Sequence, residues 1–187
     1  MPKVSQEYLD ARRRGIVDAA CKVFAEKGFV GASMASIVEA SGLSTGSVYR
    51  YFPSKAALVA EIVSGRDGTE DGAFPEGETP RDLLVRLMGY VTPPGAPAEH
   101  ARLVVQIWAE ASTSAALAAL AVQRHTSLRN HLAGLYAERA VGGAPTAVDE
   151  TRADAALAAL IGYATLAAVE APVDFADLGH TIVTAFT

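Results

Sequence analysis

Apolar residues recur along the first thirty positions with the period of an α-helix. Ile16, Ala19, Ala20, Val23 and Phe24 stand at i, i+3, i+4, i+7 and i+8, a stripe that predicts one helix over residues 10 to 28. Gly28 is its expected stop, because glycine takes the left-handed conformation that ends a helix without a Cβ clash. Ser33 offers an N-cap for a second helix through Met34, Ile37 and Val38 to Ala40, and Gly42 supplies the turn after it. Ser44 caps a third, short helix from Thr45 to Phe52. Pro53 ends that helix by disfavouring α geometry at the residue before it. Ser54 caps a fourth from Lys55 to about Gly65, with Leu58, Val59 and Ile62 turned inward.

The pattern then lapses. Residues 67–80, DGTEDGAFPEGETP, are rich in glycine, proline and acid and read as a linker, so the domains are drawn at 10–66 and 79–187. Helical spacing resumes near 80–91, 99–112, 114–141, 149–170 and 174–186, with breaks at TPPGAP, near Ser112, at GGAP and at Ala171–Pro172. Strand-like alternation and repeats of 20 to 50 residues are both missing. The expected fold is all-α, about nine helices in two domains.

Composition sharpens this only slightly. Half of the 187 residues are hydrophobic but just 7% aromatic, and Ala and Leu, good helix formers, carry most of the apolar content. No segment approaches the roughly 18 uninterrupted apolar residues of a membrane span, the N-terminal segment does not resemble a secretion signal, and the single Cys21 has no internal disulfide partner. A cytoplasmic protein is expected. The net charge of −5 is unevenly divided: residues 1–65 hold 8 basic and 6 acidic residues, the remainder 8 basic and 15 acidic. A mildly basic N-terminal part thus precedes an acidic one held away from phosphate.

The short third helix has what reading a DNA major groove requires: small residues at its N-terminus, exposed polar side chains, and flanking groups for phosphate. Thr45, Gly46 and Ser47 permit close approach, with Ser33 and Ser44 at the two helix starts. Val48 and Phe52 anchor the opposite face. Tyr49 and Tyr51 are expected to donate to phosphate, Arg50 to reach a base edge or a phosphate, and Lys55 to grip phosphate from outside the groove.

Residues 33–58, SMASIVEASGLSTGSVYRYFPSKAAL, resemble the N-terminal domain of the TetR family of bacterial regulators. The shared elements are the capped helix Ser33–Ala40, the turn Gly42–Ser44, the stretch Gly46–Tyr49, and the run Tyr51–Leu58. Upstream, Phe24 and Gly28 match the family's first helix and its exit. The close resemblance covers residues 10 to 65; beyond it only the helical layout agrees. Three positions depart from the common pattern. Ala32 stands where threonine is frequent. Ser36, being neither Glu nor Gln, is expected to weaken the capping box. Thr45 replaces a common lysine, removing about one phosphate contact. Arg12, Arg13 and Arg14 either compensate or form a solvated helix start.

The resemblance implies a homodimeric DNA-binding repressor, released from a palindromic double-stranded operator by a small-molecule effector. It also implies an effector-binding C-terminal domain that dimerises through its last two helices, without cofactor, metal or membrane. An activator remains open. Residues 154–169, DAALAALIGYATLAAV, are apolar on every face, which demands burial either by a partner or at the centre of the domain. Effector candidates are Met88, Leu103, Ile107, Trp108, Glu110, His125, Leu128 and Tyr163, apolar walls with a few polar handles; each also fits core or surface. His125 and His131, six apart, make a poor metal pair. No phosphate loop, nucleophile elbow or His-Glu-x-x-His motif is present, so an enzyme is not expected. A constitutive DNA-binding module with a vestigial pocket is the remaining alternative.

Overall fold

A computed structural model describes residues 5–65, 74–95, 97–140 and 143–187. Among them are nine helices and no strand: α1 (Gln6–Gly31), α2 (Met34–Ser41), α3 (Thr45–Tyr51), α4 (Lys55–Gly65), α5 (Pro80–Val91), α6 (Pro97–Ala111), α7 (Ala115–Ala140), α8 (Ala147–Ala168) and α9 (Phe175–Ala185). Two compact units divide the chain, Met1–Ile62 and Val63–Thr187. The first half of the expected linker, residues 67–73, lies outside the described residues, as do Ala96 and Gly142 of the expected breaks. No helix among the described residues is long and apolar enough to cross a membrane.

In the first unit the stripe Ile16, Ala19, Ala20, Val23 and Phe24 is buried, together with Ile37, Val48, Phe52 and Leu58. The α1 helix is interrupted at Gly28, whose φ of 71° and ψ of 165° leave the α region; the Ala32 N–H then bonds back to the Gly28 carbonyl. Gly42 ends α2 in the left-handed conformation, with φ 65°. Phe52, before Pro53, is extended at φ −136° and ψ 103° and closes α3. One expectation is corrected here. Ser36 completes the capping box: its Oγ accepts from the Ser33 N–H at 3.1 Å while Ser33 Oγ accepts from the Ser36 N–H at 3.1 Å. Serine is shorter than glutamate, but the Ser33 N–H lies near enough for its hydroxyl to reach.

In the second unit α8 is central, packing against α5, α6, α7 and α9. Thr79 with Asp82, and Thr146 with Asp149, build capping boxes at the starts of α5 and α8. Ala153, Ala156, Leu157, Leu160, Tyr163, Ala164 and Ala167 of α8 are buried within this chain. Burial on every side, expected from the sequence, is not reached: Ala155, Ala158, Gly162, Thr165 and Leu166 remain exposed. Four helices from one chain cover part of the circumference, and the small-residue face is left open.

Candidate nucleic-acid interface and effector cleft

The N-terminus of α3 is exposed through Ser44, Thr45 and Gly46. Ser44 caps it, accepting from the Ser47 N–H at 3.3 Å, and the two hydroxyls lie 2.9 Å apart. This leaves backbone N–H groups and the positive helix end facing outward. A Cβ at Gly46 would meet nothing within 4 Å. The protein's own packing therefore does not require glycine there, although glycine weakens a helix by about 1 kcal/mol relative to alanine. Val48 is fully buried and fixes the opposite face, while Tyr49 is 45% exposed. Arg50 is exposed beside Tyr51, its guanidinium 5.4 Å from that ring. Ser33 is exposed at the start of α2.

Two residues expected at phosphate are placed otherwise. The Tyr51 hydroxyl is buried without a hydrogen-bond partner, turned into the unit instead of toward a groove. Lys55 donates from Nζ to the carbonyls of Phe29 and Ala32, both at 2.7 Å, and lies 4.5 Å from the centre of the Phe29 ring. Those carbonyls belong to the turn after Gly28, where a helix end leaves acceptors without partners. Arg13 is likewise engaged. Its guanidinium donates to Glu61 through Nε and a terminal nitrogen, both at 2.6 Å, and lies 4.7 Å from the centre of the Phe52 ring. Of the three arginines, Arg12 bonds Tyr8 at 3.0 Å and Arg14 is exposed.

The second unit holds an open cleft of about 490 Å³ bounded by the loop Thr92–Gly95, by Tyr163 and Ala167 of α8, and by Phe175 of α9. A smaller one of about 260 Å³ lies between α5 and α9, lined by Met88, Arg81 and His180 and once more by Tyr163. The Tyr163 hydroxyl is 3.2 Å from Thr92 Oγ1, and its ring meets Phe175 edge-on at 5.5 Å.

Of the eight effector candidates, these clefts bring together Met88 and Tyr163 only. Leu103 is buried, and Leu128 packs on the core formed by α5, α7 and α8. His125 bonds Asp154 at 2.9 Å and meets Trp108 edge-on at 6.3 Å. Ile107 and Glu110 line neither cleft. Large side chains on α6 and α7 point into the packing between helices; the larger cleft opens where helices end, and the smaller runs between α5 and α9. Thr92 and Phe175 were missed for that reason, although the TPPG loop and the Asp174 cap mark those ends in the sequence. His131 bonds Glu78 at 3.0 Å, a different carboxylate from the one that His125 meets.

The family model for bacterial regulatory proteins of the tetR family matches residues 16–62. The transcriptional regulator UidR of Escherichia coli K12 is 31% identical over 136 residues, covering 71% of this chain and 68% of that protein. The transcriptional repressor Rv1474c of Mycobacterium tuberculosis is 41% identical over 70 residues, 37% of this chain. That match spans only 36% of the repressor's length. Among solved structures, Salmonella enterica GusR is similar with a TM-score of 0.71 at 28% identity, covering 99% of this chain and 97% of that one.

Proposed function

Since the chain belongs to the TetR family of bacterial regulatory proteins, we propose that it is a homodimeric transcriptional repressor, released from its operator DNA by a small molecule. The DNA-binding domain is assigned to residues 10–66 and the effector-binding domain to 79–187. The observation that carries the reading is the outer face of α3, where Ser44, Thr45 and Gly46 expose a helix N-terminus beside Tyr49 and Arg50. Helix dipole and backbone N–H groups suit phosphate. A glycine that the protein's own packing does not need suits close approach of a duplex. In this assignment Ser33, Ser44, Thr45, Ser47 and Tyr49 meet the backbone and Arg50 reads a base edge.

A seven-residue helix reads few base pairs, so a two-fold dimer on a palindromic site is the economical arrangement, with half-sites about 34–36 Å apart per helical turn. The open face of α8, with Ala155, Ala158, Gly162 and Leu166, together with α9, supports dimerisation through the last two helices. The cleft beside Tyr163 and Phe175 lies within the size range of small-molecule sites and supplies apolar walls with two hydroxyls. Effector binding there would change the spacing of the paired recognition helices. No catalytic role is assigned to the chain.

The test is a mobility-shift titration of the full chain against DNA from upstream of its own and neighbouring genes. A shifted complex is expected, with Tyr49→Ala weakening it while sedimentation still reports a dimer. Equal binding by wild type and Tyr49→Ala would remove the α3 assignment. A sedimenting monomer would remove the dimer.

A further inference from the structure

We infer that Arg13 and Lys55 are positioning residues for the recognition helix: their charged groups, though partly exposed, are hydrogen-bonded within the N-terminal unit, and they serve DNA binding by fixing where α3 ends. The inference rests on the reading of α3 as the DNA-contacting helix. It parts from the ordinary expectation that cations beside such a helix neutralise phosphate.

The geometry is specific. Between Tyr51, the last residue of α3, and Lys55, the first of α4, the chain has only Phe52, Pro53 and Ser54. That link is held at both ends. At Phe52, which caps α3 and is 2% exposed, the Arg13 guanidinium lies over the ring while its Nε and one terminal nitrogen occupy both oxygens of Glu61. At Lys55, two ammonium donors close on the Phe29 and Ala32 carbonyls, with the Phe29 ring beneath. Arg13 thus ties α3 and α4 to the first half of α1, and Lys55 ties the start of α4 to the turn between α1 and α2.

Turning either cation out to a phosphate would forfeit two charge-assisted hydrogen bonds and a contact with an aromatic face. It would also leave the Glu61 carboxylate, or the two carbonyls of the turn, without these donors. Neither cation is spare, whereas Arg14 and Arg50 are exposed.

Salt dependence separates the two roles, because each phosphate contact adds about 0.9 to the slope of log K against log salt. The full-length protein is titrated with its operator fragment over a salt series, as wild type, Arg13→Met, Lys55→Met, and the swap Arg13→Glu with Glu61→Arg. The Met variants should lose about tenfold in affinity at an unchanged slope, and the swap should recover most of the Arg13 loss. A slope lower by about 0.9, an affinity equal to wild type, or a swap no better than Arg13→Met would overturn the inference.

A second measurement needs no variant. In DNA-free wild-type protein, an amine-reactive label should modify the exposed Lys22 and Lys27 well before Lys55, and DNA should leave the Lys55 rate unchanged. A Lys55 that labels as fast as Lys22 and becomes protected only by DNA would overturn its positioning role. Wild type that binds no fragment removes the reading of α3 instead, while the DNA-free labelling pattern still reports whether Lys55 is engaged.

Discussion

Arg13 on α1 and Glu61 on α4 stand 48 positions apart in sequence and share two hydrogen bonds of 2.6 Å. The Arg13 hydrogen bonds hold the Glu61 carboxyl below the usual carboxylate range, against desolvation, which acts the other way, and with help from the guanidinium charge. A carboxylate with a depressed folded-state pKa stabilises the fold above its unfolded pKa, and that contribution disappears as pH falls through the folded value. Glu61→Gln should therefore cost up to about 1 kcal/mol at neutral pH, a small figure because both side chains are partly exposed. Denaturant unfolding at a series of pH values should show wild type and variant converging below the lowered Glu61 pKa. A gap that persists there would assign the loss to packing.

Glu78 presents the opposite case. Its side chain is 3% exposed and it bridges Arg86 at 2.9 Å and His131 at 3.0 Å, with the Phe74 ring stacked 3.7 Å from the imidazole. Removing the acid leaves two cationic or polar partners in a confined place. Glu78→Ala should destabilise the second unit by about 3 kcal/mol, several times the effect at Glu61. Differential scanning calorimetry of the full chain would show the second unit's transition falling by several degrees. A shift no larger than that of Glu61→Gln would contradict the burial argument.

Gly42 occupies φ 65° between α2 and α3, in open space. Gly42→Ala meets no neighbour, so its cost is conformational alone, about 1 kcal/mol. Gly42→Asn should cost less, because its side chain tolerates the left-handed region. Chemical denaturation of the two variants would give this ranking; alanine equal to asparagine would mean that the turn relaxes.

At Gly179 on α9 a Cβ would lie 3.3 Å from Met88 Sδ and 3.7 Å from the Tyr163 ring. Gly179→Ala gains about 1 kcal/mol of helix propensity and pushes against a flexible thioether, so the two effects should nearly cancel. Gly179→Leu cannot be absorbed in this way and should cost about 2 kcal/mol from overpacking, with α9 displaced from α5. Thermal unfolding of both variants tests the contrast, and a leucine variant as stable as wild type would show that α9 is loosely seated.

The element order was open to inspection in the sequence because its signals are local. Helical spacing, Ser33, Ser44 and Ser54 as caps, Gly28 and Gly42 as left-handed stops, and Pro53 acting on Phe52 each act within a few residues. The buried stripe of α1 and the anchors Val48 and Phe52 could be identified by periodicity alone. The small hydroxyl that completes the Ser33–Ser36 box could not, since it depends on a distance that the residue type does not specify.

Partnership was decided only by tertiary structure. Lys55 and Tyr51 look like outward-facing groups in a linear motif, yet the turn at Gly28 brings two carbonyls to the lysine, and packing buries the phenol. Arg13 finds Glu61 across 48 residues. The larger cleft opens at helix ends, beside Thr92 and Phe175, and the smaller between α5 and α9, not along the aromatic-bearing faces of α6 and α7. Backbone propensity and capping are short-range and therefore written in the sequence, whereas charge pairing, burial of a polar tip and empty volume depend on which distant segments the fold brings together.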